Sequence, residues 1–226
     1  MRKAPTALSF EPELPFKYVG GDPCLDLVNT VDWTRKGLER DRLTDYARLT
    51  RWAEGAGLVP RRETERLRRE GAARPREAQA AYEAARWLRH VLQRLFASIA
   101  SGEKPGSALD DFNELLAAAL RRLRVAPVPG TARTRAAQSP VDWAWEGRED
   151  DLESILWPVV RSAADLLTSG EARRVRVCGS LDCGWIYVDR SRNRLRRWCE
   201  METCGTLEKS RRRSERRRGT VPRERE

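Results

Sequence analysis

Residues 177–205 read VCGSLDCGWIYVDRSRNRLRRWCEMETCG, and four of the chain's five cysteines lie within them. They fall as Cys178-x4-Cys183, fifteen intervening residues, then Cys199-x4-Cys204. Zinc takes four tetrahedral ligands, and two short cysteine loops can each supply a pair; two-residue loops are more usual, but four stays within the range. With Cys178, Cys183, Cys199 and Cys204 filling every position, no place is left for water or substrate. The expected metal is therefore one structural Zn2+. Buried or disulfide-linked cysteines are the competing reading. The odd count and the reduced thiols of a cytoplasmic chain weigh against a disulfide framework. The lone histidine, His90, cannot build a His-rich site, and Cys24 reads as a small apolar core residue.

Between the two pairs, Trp185-Ile186-Tyr187-Val188 is a strong β pattern, and residues 189–194 are of turn type. A helix is expected to open near Cys204-Gly205. The outline is a treble-clef-like or ribbon-type zinc finger ending in a basic helix. On that helix Lys209, Arg212, Arg213, Arg216 and Arg217 share a face at three- and four-residue spacing, with Glu208 and Glu215 able to pair locally with Arg211 or Arg212. Arg190, Arg192, Arg194, Arg196 and Arg197 form a second cluster.

The 226 residues carry 44 Lys+Arg against 34 Asp+Glu, a net charge of +10. Residues 173–226 hold 17 of those basic residues and 8 of the acidic ones, a net of +9, which leaves the rest of the chain near neutral. A near-neutral body with a cationic end seeks a polyanion. Nucleic acid is the expected one, since phosphate neutralisation with counterion release suits such a surface. A membrane surface fits less well, because the basic helix lacks an apolar stripe. No apolar run reaches the length of a membrane span, and the start has no apolar leader. The expected location is the cytoplasm.

The body reads as mainly α. Short helices are expected at 24–33, from a Thr44 cap to Gly55 or Gly57, and at 61–69. A long one at 75–100 carries Ala81, Ala85, Leu88, Leu92, Leu95 and Phe96 at helical spacing. Ser107 is expected to cap the next helix, and a last one runs over 150–167. Residues 125–145, rich in proline, read as a β-hairpin or extended excursion. The domain division is a helical effector or regulatory domain at 1–170, a finger with its basic helix at 173–218, and a disordered tail at 219–226.

Residues 177–199 with Cys204-Gly205 resemble the CGNR zinc finger, and Gly20-Gly21-Asp22-Pro23-Cys24-Leu25-Asp26-Leu27-Val28-Asn29-Thr30 resembles the start of the helical domain that accompanies it. The pairing belongs to bacterial stress-induced transcriptional regulators. It implies a DNA-binding finger, an effector- or partner-binding body, and a metal site at the four cysteines. The family's Cys-Gly-Asn-Arg is here Cys204-Gly205-Thr206-Leu207, so the cysteine and glycine are kept and the polar pair is lost. DNA contact then falls mainly to the residues from Lys209 onward.

The leading expectation is a transcriptional regulator, with a homodimer as one way for a small finger to hold enough DNA. A zinc-stabilised RNA-binding or protein–protein adaptor is the alternative. Trp33, Trp52 and Trp87 are candidates for lining an effector pocket. Asp26, Asn29, Thr30 and Asp32 read equally as capping residues or a ligand site. An enzyme is not expected: there is one histidine, and no P-loop, dinucleotide fingerprint or Gly-x-Ser-x-Gly elbow occurs.

Overall fold

Asp22 caps the first helix, its carboxylate accepting the Cys24 amide, and Pro23 occupies the first turn where no donor is needed. In this computed structural model, residues 14–34, 37–127 and 140–219 are described. The expectations for residues 1–13, for the middle of the proline-rich stretch and for the tail beyond 219 lie outside them. Helix α1, Pro23–Val28, buries Cys24, Leu25, Leu27 and Val28 completely. It is shorter than expected. The Thr30 hydroxyl donates back to the Leu27 carbonyl, and the β-branched Val31 and Thr34 favour extended backbone. Strand β1 (Val31–Thr34) accordingly pairs antiparallel with β2 (Gly37–Asp41).

Helix α2, Tyr46–Gly55, is capped by Asp45 rather than Thr44: Asp45 Oδ1 accepts the Arg48 amide at 2.7 Å. Helix α3, Arg61–Ala73, runs past the expected residue 69. The long helix α4, Pro75–Ser101, ends at Gly102, whose φ of 77° suits glycine. Helix α5, Ser107–Leu120, has Gly106 at its cap. Ser107 is its first helical residue, and its hydroxyl accepts from Arg94. At the two ends of the proline-rich stretch, β3 (Leu123–Pro127) pairs antiparallel with β4 (Val141–Trp145). The expected last body helix is two pieces, a 3-10 turn at Leu152–Ile155 and helix α6, Trp157–Thr168. Pro158 lacks an amide donor and its ring would clash with the preceding turn inside a continuous helix, so it suits the first turn of a new one. Helix α4 is central: α1, α2, α3 and α5 pack on it, and α6 closes against α1 and α5.

The expected linker at residues 170–174 is a 3-10 turn packed on α6 and α4. It leads into β5 (Val175–Val177), which pairs antiparallel with β6 (Ile186–Val188). The first cysteine pair is thus enclosed by a hairpin whose first strand precedes it. Side chains alternate across a strand. Ile186 and Val188, with Val175, enter the core of the helical body, whereas Trp185 and Tyr187 join Cys178 and Cys199 in a second core. One short strand therefore serves both cores.

The seam is stitched by polar groups. The Asn29 side chain acts as a neighbouring strand for Ile186, accepting its amide at 2.9 Å and donating to its carbonyl at 2.8 Å. The Val188 amide donates to the Gly20 carbonyl at 2.8 Å, and the Trp185 indole N–H donates to the Val31 carbonyl at 2.8 Å.

Candidate metal centre and basic surface

The first cysteine pair hangs between β5 and β6, and the second follows the 189–198 loop. Cys178 and Cys199 are buried, Cys183 and Cys204 half-buried. All four Sγ atoms lie within 4.8 Å of one another. The Cys183–Cys199 separation is 3.8 Å and the Cys199–Cys204 separation 3.6 Å. A zinc with Zn–S of about 2.3 Å demands tetrahedral S···S edges of about 3.8 Å. The cysteines are free thiols, with separations far above the ~2.05 Å of a disulfide. Hydrogen bonds from Cys183, Cys199 and Cys204, supported by the Cys199 amide, hold the Cys178 thiol well below its ordinary range. The set fits one tetrahedral Zn2+ with no open coordination position.

A zinc tetrathiolate carries a net charge of −2, and its surroundings mix cations with the carboxylates of Asp32 and Asp182. Lys17, Arg40 and Arg42 share a cavity of about 290 Å3 with Cys183, Cys199 and Cys204. The loop between the pairs is tied down by Arg196, which donates to the carbonyls of Trp198 (3.0 Å), Val19 (3.1 Å) and Cys199 and stacks on Tyr187. Tyr187 donates in return to the Arg196 carbonyl at 2.7 Å, and burial pushes its phenol up to about 12.

A π-type turn, Met201–Gly205, carries the chain through Cys204 into α7, Thr206–Gly219. A Cβ at Gly205 would lie 2.5 Å from Met201 Sδ, so a side chain there would require the exposed Met201 to move aside. Glu208 is turned inward and fixes α7 to the first cysteine loop. It accepts from the Ser180 hydroxyl at 3.0 Å and the Leu181 amide at 3.1 Å, which hold its carboxyl below the usual range. Arg211 reaches Asp182 at 3.3 Å and Glu208 at 3.4 Å. Lys209, Arg212, Arg213, Arg216 and Arg217 are exposed, as is Leu207 in the place of the family's arginine.

The ten expected basic contacts do not form one set. Arg190 is committed to Glu171 at 2.7 Å and to the Gly21 carbonyl, and Arg196 is a clasp for the metal loop. Arg197 lies over the Trp198 ring, its centroid 5.5 Å away. Arg192 and Arg194 are exposed on the turn. The polar cluster near the start is consumed by structural contacts. Asp26 accepts the Gly20 amide at 2.8 Å, Asn29 pairs with Ile186, Thr30 accepts from Arg89 at 3.0 Å, and Asp32 pairs with Arg42 at 2.6 Å. Burial raises the Asp26 carboxyl to about 6. Cys24 is fully buried and burial raises its thiol well above the ordinary value, so it holds its proton as a core residue does.

Of the candidate pocket tryptophans, Trp52 is fully buried in the core and the Trp33 side chain lies outside the described residues. Trp87 does border a cavity of about 280 Å3, with Leu88, Leu115, Trp157, Asp151 and Glu153. Trp157 gave no signal in the sequence, because it falls inside the helix expected over 150–167.

A closed four-cysteine centre on a strand shared with a helical body defines a zinc-finger protein whose finger is built into its helical domain. Residues 21–170 match the ABATE family, described as "Putative stress-induced transcription regulator", and residues 174–217 match the CGNR zinc finger. The chain belongs to the ABATE family, and its four clustered cysteines form the metal centre of a CGNR finger that holds one structural zinc. No curated protein matches the chain. Among the described residues no helix is long and apolar enough to cross a membrane.

Proposed function

We propose that the chain is a DNA-binding transcriptional regulator, with α7 as the main contact and the helical body as receiver of an effector or partner. The observation that carries this reading is the row of exposed cations on α7, held at a fixed angle by Glu208 beside the metal centre. No ion pair within bonding distance reaches Lys209, Arg212, Arg213 or Arg217 among the described contacts. Such a row neutralises phosphates and releases counterions, giving affinity that falls steeply with salt. With Leu207 in place of the family's arginine, the helix start lacks the guanidinium fork that reads a base edge in pairs, so backbone contact dominates over base reading.

The zinc does no chemistry in this reading: its closed shell sets the geometry of the two loops and of α7. No catalytic role is assigned. His90 is exposed beside Trp87, and Asp111 and Asp151 are occupied by Arg94 and by a helix cap. The cavity beside Trp87 and Trp157 supports a small effector with an aromatic or apolar part, since such sites are mostly apolar with a few polar groups. Burial raises the Glu153 carboxyl there above its ordinary range.

The test is fluorescence anisotropy with duplex DNA over a salt series, using the zinc-loaded chain and a variant carrying Arg212→Ala, Arg213→Ala, Arg216→Ala and Arg217→Ala. The expected result is a steep salt dependence that the variant loses. Tighter binding to single-stranded RNA than to duplex DNA would instead favour an RNA adaptor, and mass photometry on the complex reads whether two copies bind together.

A further inference from the structure

Where the body meets the finger, Arg173, Arg174, Arg176 and Arg194 line an open groove with Gly170 and Glu171, enclosing about 650 Å3. The first three come from the 3-10 turn and β5, ahead of the metal centre. Arg194 comes from the loop between the cysteine pairs, and a buried carboxylate delivers it. Asp189 accepts from the Ser191 hydroxyl at 2.5 Å, the Ser191 amide at 2.9 Å and the Arg196 amide at 3.1 Å. Burial alone would raise this carboxyl, but the hydrogen bonds outweigh it and keep it ionised. The Asp189 amide in turn donates to the Arg174 carbonyl at 2.8 Å. The turn ending at Arg194 is thereby pinned beside the start of β5.

Two further features mark the groove. Arg194 has a φ of 54°, and it is the only non-glycine residue with positive φ among the described residues. Glycine or asparagine adopts that backbone with less strain, and an arginine held there points to a use for its side chain. The charges are also unbalanced. Glu171 is the one carboxylate lining the groove, and Arg190 at 2.7 Å and Arg174 at 3.8 Å already claim it. Arg176 is fixed by donating to the carbonyls of Arg173 and Val175, both at 2.8 Å. Arg173 and Arg194 are exposed and make no ion pair among the described contacts.

We propose that this groove is a second phosphate-binding surface, which grips the phosphodiester backbone of the duplex that α7 contacts. The proposal rests on the DNA reading above. Planar guanidinium forks match phosphate oxygens in pairs, and all four groove cations are arginines. The groove adjoins the strand entering Cys178, while α7 leaves from Cys204, so the metal centre fixes the spacing of the two surfaces. Free phosphate esters share this chemistry, and the test separates the two sources.

The test uses the zinc-loaded full chain with Arg173→Ala and Arg194→Asn combined, asparagine being chosen to tolerate the positive φ. A single Arg173→Ala variant guards against misfolding, and zinc content is checked in each. Duplex binding is followed over a salt series beside the α7 variant and a charge control, Arg68→Ala with Arg69→Ala on α3. At about 0.9 per phosphate contact, the double variant should lower the slope of log K against log salt by about 2, and the control should leave it unchanged. Inorganic pyrophosphate should not compete at the concentration of protein. An unchanged slope in the groove variants, with a reduced slope in the α7 variant, overturns the groove and leaves the DNA reading standing. Competition by equimolar pyrophosphate overturns the backbone assignment in favour of a free phosphate ester. Absence of duplex binding by the unaltered chain overturns both.

Discussion

Two arginine-rich helices in this chain look alike in composition and differ in what their arginines face. In α3, Arg61 pairs with Glu65 and Arg66 with Glu70, while Glu63 holds Arg148 and Glu70 also holds Arg74. Leu67 meanwhile goes to the core. In α7, Glu208 turns inward to the cysteine loop and leaves the outer row with Glu215 as its acid. The lesson is that arginine count does not make an anion surface. The direction of the neighbouring carboxylates does.

The strongest way to break the comparison is to remove the metal. Chelation, or Cys199→Ser, should abolish one equivalent of zinc and all duplex binding, because α7 loses the frame that orients it. Structural zinc contributes on the order of 10 kcal/mol in small fingers. Since β6 serves both cores, the body's melting should shift as well, which differential scanning calorimetry reads. A body that melts unchanged without zinc would refute the shared-strand account.

The next largest effect tests the two helices against each other. The four α7 substitutions to alanine should weaken duplex binding by roughly 100-fold or more near physiological salt, as about four phosphate contacts are lost. Alanine at Arg62, Arg68 and Arg69 of α3 should change it less than about threefold. Equal losses from both helices would reduce the effect to net charge.

Smaller effects probe the seam on which the comparison depends. Asn29→Ala leaves the buried amide and carbonyl of Ile186 without partners and should cost about 2–4 kcal/mol of stability in urea unfolding. Asn29→Asp should be no better, because it sets an acceptor against the Ile186 carbonyl. The smallest effect has the opposite sign. Asp26 is raised from 3.8 to about 6 by burial. The unfolded chain therefore ionises this acid first, and the folded state loses relative stability as pH rises between those values. Asp26→Asn keeps an acceptor for Gly20 and removes the charge. It should stabilise the chain by about 1–3 kcal/mol above pH 6 and hardly at all near pH 4, measured as the shift of melting temperature across pH.

Much of this architecture is legible in the residues. The cysteine spacing announces the metal centre, and the 3.6-residue period of α4 announces the body's central helix. The α1 motif misleads because its apolar residues continue in phase past Asn29, where a side chain leaves the helix to pair with a strand 157 positions away. No local pattern encodes that partner. The basic clusters are visible as charge, yet Arg190 and Arg196 spend theirs on Glu171 and on main-chain carbonyls. Arg173 and Arg174 pass as a linker, and Arg176 as the entry to the finger, until folding brings Arg194 beside them. The division at residues 170–173 follows composition, whereas the core runs across it through Val175, Ile186 and Val188.

The strand shared by both cores also orders events in time. A ribosome releases α1 well before β6, so the Asn29 amide waits for a partner 157 positions further along the chain, and the Gly20 carbonyl waits for Val188. Contacts so distant along the chain close slowly, and until they do the first helix lacks one wall. A polypeptide interrupted before residue 186 would present that apolar gap to chaperones and proteases. Zinc capture needs Cys199 and Cys204, which follow β6 in the chain, so it cannot precede the emergence of that wall.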